Sequence, residues 1–271
     1  MKKIIAILLC LLLSACAAES PPVQLPVHEA QIAEGQSVLI RLNAGVVTVH
    51  GGKEGQASVA GQTLYLDQTE YNVTTVNNQI QIIVNYTGQR SSNPPVHLEV
   101  SIPNNAALTI ETDSASISVR EYTGVLEAAS VSGDILVDNV HGDITLRSNR
   151  GDVTTRDSDG RISMVGNYGL LALENARGNI GVSTIMGTIV FDGLIQADDI
   201  LRLETDHGPI SVNLNRSSDL TLKVRSTSGD VACMLPDVIS SARTCEGTVN
   251  SGGGVLNIRT VSGTVTVQSI P

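Results

Sequence analysis

The sequence predicts an all-β protein, a single-stranded β-helix or β-solenoid with about two strands in each 18–21-residue coil. Three observations predict it. Glycine recurs at positions 124, 133, 142, 151, 160, 169, 178 and 187, a ruler of nine residues. Between the glycines apolar and polar residues alternate, which is the period of a strand and not of a helix. A unit this short cannot bury its apolar face alone, so its copies must stack on one another.

Aligned on the glycine, GDILVDNVH, GDITLRSNR, GDVTTRDSD, GRISMVGNY, GLLALENAR, GNIGVSTIM and GTIVFDGLI all carry Ile, Val or Leu at the third place. Each reads as one strand and one turn. The glycine supplies the positive φ that a tight corner requires, and Asp134, Asp143 and Asp152 suit the turn by bonding their own backbone. The ruler then widens, with Gly187, Gly208 and Gly229 spaced 21 residues apart. Each longer interval holds two strand-like stretches, such as residues 210–214 and 220–224, which favours two strands per coil. A coil of three nonapeptides, or an antiparallel meander, would also use such units.

The N-terminus has a different logic. Lys2 and Lys3 precede an apolar run from Ile4 to Leu13, the build of a signal peptide. The run is about half the ~20 residues that a membrane-spanning helix needs. Leu13-Ser14-Ala15-Cys16 resembles the lipobox of bacterial lipoproteins, which implies that residues 1–15 are removed and that Cys16 carries the lipid. More than one acyl chain, such as palmitate, gives stable anchoring. Ala17 and Ala18 carry no Asp of the kind that resembles an inner-membrane retention signal, so in a double-membraned host the outer membrane is favoured. Pro21, Pro22 and Pro26 make residues 16–26 a short stiff tether.

Residues 27–112 lack the ruler but keep strand patterns at 38–42, 46–49, 79–84 and 96–102, separated by turn formers such as Gly51-Gly52 and Asn77-Asn78. They are expected to begin the same β fold and to cap the solenoid, whose repeats fill residues 113–271, with 27–271 one continuous domain. Residues 248–268 supply two further strands around Ser251-Gly-Gly-Gly254.

Loss of residues 1–15 removes two Lys and no acid, leaving 15 basic against 27 acidic residues and a formal charge of −12. That balance disfavours nucleic acid as a partner. The chain has no Trp, one Phe and five Tyr, so little is available for stacking on sugars or bases.

Cys233 and Cys245 flank MLPDVISSART, which breaks the strand pattern. In an oxidising compartment they are expected to form a disulfide closing that excursion, worth on the order of 3 kcal/mol by loop-closure entropy. Neither a C-x-x-C pair nor a neighbouring His points to redox or metal chemistry. The Gly-Asp repeats invite comparison with the calcium-binding G-G-x-G-x-D-x-U-x repeat, but the ligand positions do not match, and no metal or other cofactor is expected. Arg150-Gly151-Asp152 spells an integrin-type tripeptide, yet its Gly-Asp belongs to the ruler. His28, His50, His97, His141 and His207 are scattered and read as surface residues. Asp198 with Asp199, and Glu204 with Asp206, are the carboxylate pairs that an enzyme could use, and no nucleophile, base or oxyanion motif stands beside them.

The segments 35–42, 46–51 and 96–103, with Ser132-Gly-Asp-Ile135 and Ser228-Gly-Asp-Val231, resemble the bacterial adhesin-like family of β-strand-repeat proteins, over roughly residues 30–268. The resemblance implies a β-helix-like fold, an exported or membrane-attached setting and no established catalytic residues. Together these features point to a lipid-anchored cell-envelope protein. It is expected to act without catalysis as an adhesin-like binding or scaffold surface toward an envelope protein or glycan. An envelope-stress sensor and a glycan-active β-helix enzyme are the alternative readings.

Overall fold

The computed structural model describes residues 21–33, 35–53, 55–89 and 94–270. Apolar–polar alternation turns directly into an inside and an outside. In Ile210–Asn215, for example, Ile210, Val212 and Leu214 are buried and the three polar residues face outward.

Strands eighteen residues apart pair in parallel. Ile117, Ile135, Val153, Leu171 and Ile189 are successive register partners in one column. Leu126, Ile144, Ile162 and Ile180 form a second column. The third places of consecutive nonapeptides thus fall alternately on two sheets, and a coil is two nonapeptides. The sheets face each other across one core, where Thr155 Oγ1 reaches Met164 Sδ at 3.6 Å. Neither a three-strand coil nor an antiparallel meander is present in the repeat. Each buried Ile, Leu or Val stabilises by about 1.5–3 kcal/mol, and it does so only with the next rung in place.

The corners come in two kinds. At one corner the chain passes through the left-handed region at Glu121, Asn139, Asp157 and Asn175, and three residues later reaches a glycine such as Gly142, whose φ of 132° disfavours any side chain. Contact with the rung beneath also forbids a side chain there, a Cβ on Gly142 lying 2.3 Å from the carbonyl oxygen of Gly124, and at the other corner contact acts without help from φ. A Cβ on Gly208 would lie 1.6 Å from the carbonyl oxygen of Gly187. Except for Gly169 the glycines of this corner have no positive φ. The expectation that positive φ explains every glycine of the ruler therefore holds for Gly124, Gly142, Gly160, Gly169 and Gly178, and not for Gly133, Gly151 and Gly187.

The second corner also has a hydroxyl cap that the ruler did not reveal. Ser130, Ser148, Thr184, Thr205, Ser226 and Thr260 each accept the N–H of the glycine three residues on, at 2.7–3.0 Å. These hydroxyls are buried, so the bond satisfies both groups. The Asp after the glycine bonds the neighbouring coil and not its own backbone. Asp134 Oδ1 accepts from Asp152 N at 2.9 Å, and Asp152 Oδ1 accepts from Leu170 N at 2.8 Å.

Both chain ends are interleaved. Strands Ser37–Leu42 and Val46–Gly52 lie between the rung formed by Gln79–Tyr86 with Val96–Pro103 and the rung that begins at Ala107–Thr112. Likewise Gly254–Thr260 and Val265–Ile270 lie between the rung at 200–215 and the rung at 220–234. The two equal 21-residue intervals thus differ in space. Gly187 and Gly208 are on adjacent rungs, whereas Gly263 sits between Gly208 and Gly229.

Antiparallel strands close the stack. Thr69–Val76 and Gln56–Thr63 cover the first rung, and Val23–Gln24 and His28–Gln31 pair outside the latter. Thr244–Val249 covers the last rung, followed by Val238–Ser240. At about 4.8 Å per strand, a stack about a dozen strands deep is ~55 Å long. Among the described residues no helix is long and apolar enough to cross a membrane.

Two outcomes follow. Gly208→Ala should destabilise by at least about 1–3 kcal/mol through overpacking, while Gly181→Ala, with nothing within 4 Å of its added Cβ, should be neutral within about 0.5 kcal/mol; urea titrations of the two variants compare them. Deleting residues 254–270 should abolish cooperative unfolding of the C-terminal coils, because it empties an interior rung. Deleting residues 21–24, which pair on one side only, should leave that transition in place, as circular dichroism and limited proteolysis would show.

Candidate functional site: a trough along one corner

Strand ends at the glycine–hydroxyl corner place outward side chains in register. Along one row run Arg41, Glu111, Ala129, Arg147, Val165, Ser183, Glu204, Arg259 and Arg225. The backbone ladder continues around the corner, where Tyr168 N donates to Asn149 O and Met186 N to Asn167 O. It carries a second row that includes Asp113, Val131, Asn149, Asn167, Ile185, Asp206 and Val261.

Two open cavities of about 650 and 840 Å³ lie between these rows. Val165 and Asn167 line both, so the cavities join into one trough that spans most of the repeat. Its floor includes the exposed apolar side chains Val131, Val165, Ile185 and Val261, with Tyr168 and Met186 beside it. Arginines partner carboxylates along the walls: Arg41 with Glu111 at 2.7 Å, Arg147 with Glu127 at 2.6 Å and Arg225 with Glu246 at 3.3 Å. These pairs are exposed and contribute ~0–1 kcal/mol each to stability. Arg259 has no carboxylate within ion-pair distance among the described residues.

Cys233 and Cys245 are bonded, with their Cα atoms 6.5 Å apart. The bond ties Val231–Met234, in the last rung, to the covering strand Thr244–Val249, where Cys245 is fully buried. Cys16, with the rest of residues 1–20, lies outside the described residues.

The carboxylate pairs are not brought together as an active site. Asp199 is buried and accepts from Gln196 N at 2.8 Å, Gly178 N at 2.9 Å and Arg177 Nε at 3.2 Å, so it braces a corner. Asp198 occupies a left-handed turn position at φ 73°. Glu204 and Asp206 belong to adjacent rows of the trough.

Asp152 of the Arg-Gly-Asp tripeptide is engaged by Leu170 N. His141 meets Asp159, His207 Nδ1 is 2.7 Å from Ser262 Oγ, and His28 packs edge-on against Tyr71. Among the described residues no group of three or more His, Cys, Asp or Glu is placed to hold a metal.

Titration is perturbed away from the trough. The Ser251 hydroxyl at 2.5 Å, then the Gly253 N–H at 3.0 Å and those of Gly252 and Ser251, hold the Asp219 carboxyl below its ordinary value. This fastens the loop 251–254. Burial pushes the Tyr71 phenol up to about 12, and pushes Tyr122, which donates to Ala106 O, up as well.

With this geometry in hand, a family profile described as Toastrack DUF4097 matches residues 41–268. The chain belongs to the Toastrack family. Among solved structures, a candidate adhesin from Bacteroides fragilis is 9% identical over 92% of this chain and 97% of its own, with a TM-score of 0.46. A candidate lipid-binding protein from Parabacteroides distasonis is 8% identical over 91% and 96%, with a TM-score of 0.42. A candidate cell adhesion protein from Clostridium sporogenes is 12% identical over 92% and 100%, with a TM-score of 0.32. No curated protein matches the sequence.

The Toastrack trough is what sequence reasoning missed. The available signal was the register itself, since Ala129, Arg147, Val165 and Ser183 recur at intervals of eighteen.

Asp199 separates a structural from a catalytic role. Asp199→Ala should destabilise by about 1–3 kcal/mol for each buried donor left unpaired, measured by chemical denaturation. Asp198→Ala, without those bonds, should fall within about 0.5 kcal/mol of the parent.

Proposed function

We propose that this Toastrack protein is a lipid-anchored, non-catalytic binding protein of the cell envelope that holds an extended polar chain, glycan or polypeptide, along its corner trough. The observation that carries the reading is the register of the trough. Guanidinium, carboxylate, amide and hydroxyl groups repeat at the rung spacing of about 4.8 Å, above an apolar floor that is open at both cavities. Such an array binds through many weak contacts and favours a polymer over a compact small molecule, for which enclosed apolar pockets are the usual site.

The anchor supports the same reading. Cys16 precedes Val23–Gln24 and His28–Gln31, which belong to one end of the stack; Val23, Gln24 and Leu25, expected within the tether, are instead paired onto Gln56–Thr63, because Leu25 is apolar and buries in the core. A lipid on Cys16 would hold that end at the membrane and leave the trough free along the ~55 Å rod. The outer membrane is the favoured location in a double-membraned host.

The test is retention from an envelope extract on the immobilised chain, with glycan and protein fractions assayed separately. One fraction should be retained by the parent and lost in the Arg147→Glu, Arg259→Glu double variant, whose exposed substitutions leave the core alone. Equal retention by both, or none by either, would sink the reading.

A further inference from the structure

We propose that the edge strand Thr69–Val76 is a self-association surface, pairing antiparallel with the same strand of a second copy so that two solenoids join end to end. Among the described residues this strand pairs only with Gln79–Tyr86, through a two-residue turn at Asn77 and Asn78 whose φ values are 49° and 62°. In a hairpin of that type the pair flanking the turn, Val76 and Gln79, is hydrogen-bonded, and bonded and non-bonded positions then alternate. Val76, Thr74, Asn72 and Glu70 therefore bond inward. The N–H and C=O groups of Thr75, Val73 and Tyr71 point away from the stack, and no backbone partner meets them among the described residues.

Natural edges of this length are blunted by charge, proline, a bulge or a cover. This one carries a single charge, Glu70, and no proline. The opposite end of the solenoid is blunted: Val238–Ser240 is three residues long, follows Pro236 and belongs to the excursion closed by Cys233–Cys245. A head-to-tail contact would have to seat eight residues on three, so an open filament is disfavoured. A two-fold contact matches eight residues with eight and closes.

The strand is also complementary to itself. In the antiparallel register centred on Val73, Val73 meets Val73 and Tyr71 meets Thr75 of the second copy. Tyr71 and Val73 pack against the core, Tyr71 edge-on to His28, so this register pairs the half-buried residues of one strand with those of the other. Asn72 meets Thr74 on the outer face, and the two Glu70 side chains stand ~20 Å apart along the strands. One strand pair between acidic molecules gives a weak contact, strengthened by salt that screens their repulsion.

The experiment uses the chain from Pro21 onward, which contains every described strand. Sedimentation across micromolar to millimolar concentration should show a monomer–dimer equilibrium that shifts toward dimer with added salt. Val73→Pro removes the outward donor at a position where an edge strand tolerates proline, and should weaken the dimer at least about tenfold with circular dichroism unchanged. Val73→Cys should cross-link to a covalent dimer under mild oxidation, and Ile239→Cys, at the far end, should not. Monomeric sedimentation throughout with no Val73→Cys cross-link overturns the proposal. So does cross-linking of Ile239→Cys in preference to Val73→Cys, or an edge occupied by a strand of another protein while the chain stays monomeric.

Discussion

At the glycine corners of the coils the backbone of one rung rests directly on the backbone of the next, and the other features of the solenoid depend on that contact. A side chain on Gly133, Gly151 or Gly208 would lie 2.0, 2.2 or 1.6 Å from the carbonyl oxygen beneath it. With glycine there, the rungs close to hydrogen-bonding distance, and the parallel ladder runs through the turn instead of stopping at the strand ends. The Ser or Thr three residues earlier then has a defined donor to cap, and Asp134 and Asp152 can reach the amide of the coil above. Gly166 stands where the hydroxyl would be in its coil, and that corner takes a different path, with Gly169 at φ 91°.

This is also why much of the fold was legible in the sequence. A steric requirement renewed at both corners of each coil leaves a mark every half-coil, which is the nine-residue ruler, and the inward third place marks the core. The disulfide was legible because MLPDVISSART interrupts an otherwise regular pattern. Spatial order was less legible. A glycine interval reports how much chain lies between two corners, not which rungs are neighbours, so the 21 residues from Gly208 to Gly229 look like those from Gly187 to Gly208 although another rung lies between the former pair. The trough was hidden for a related reason. Arg259 and Arg225 are 34 residues apart and become neighbours only because the chain returns to fill the gap.

The interleaved ends solve a problem of parallel stacks. Such a stack has two open edges, and a terminal strand left at an edge would be free to fray. Here the strands at 37–52 and 254–270 are paired on both sides, while antiparallel strands that the chain makes by turning back cover the outermost rungs. The arrangement raises the sequence separation of contacts, and slower closure of these rungs is the expected kinetic consequence. It also makes the two ends unequal: one closes on a short disulfide-bound excursion, and the other presents an eight-residue strand.

With inward positions committed to the core and corners to stacking, the chemistry left free is what points outward from the sheets. Register repeats those side chains as rows, separated by about 4.8 Å between rungs and about 7 Å along a strand. Long partners such as Arg147 and Glu127 bridge that spacing. The carboxylate most deeply placed among the early candidates, Asp199, is instead spent on backbone amides at a corner. Rows of this kind favour recognition by repetition: each rung adds one weak contact, and affinity grows with the number of rungs a ligand covers. On the proposed function, the preference for long ligands follows from the same nine-residue ruler that builds the core.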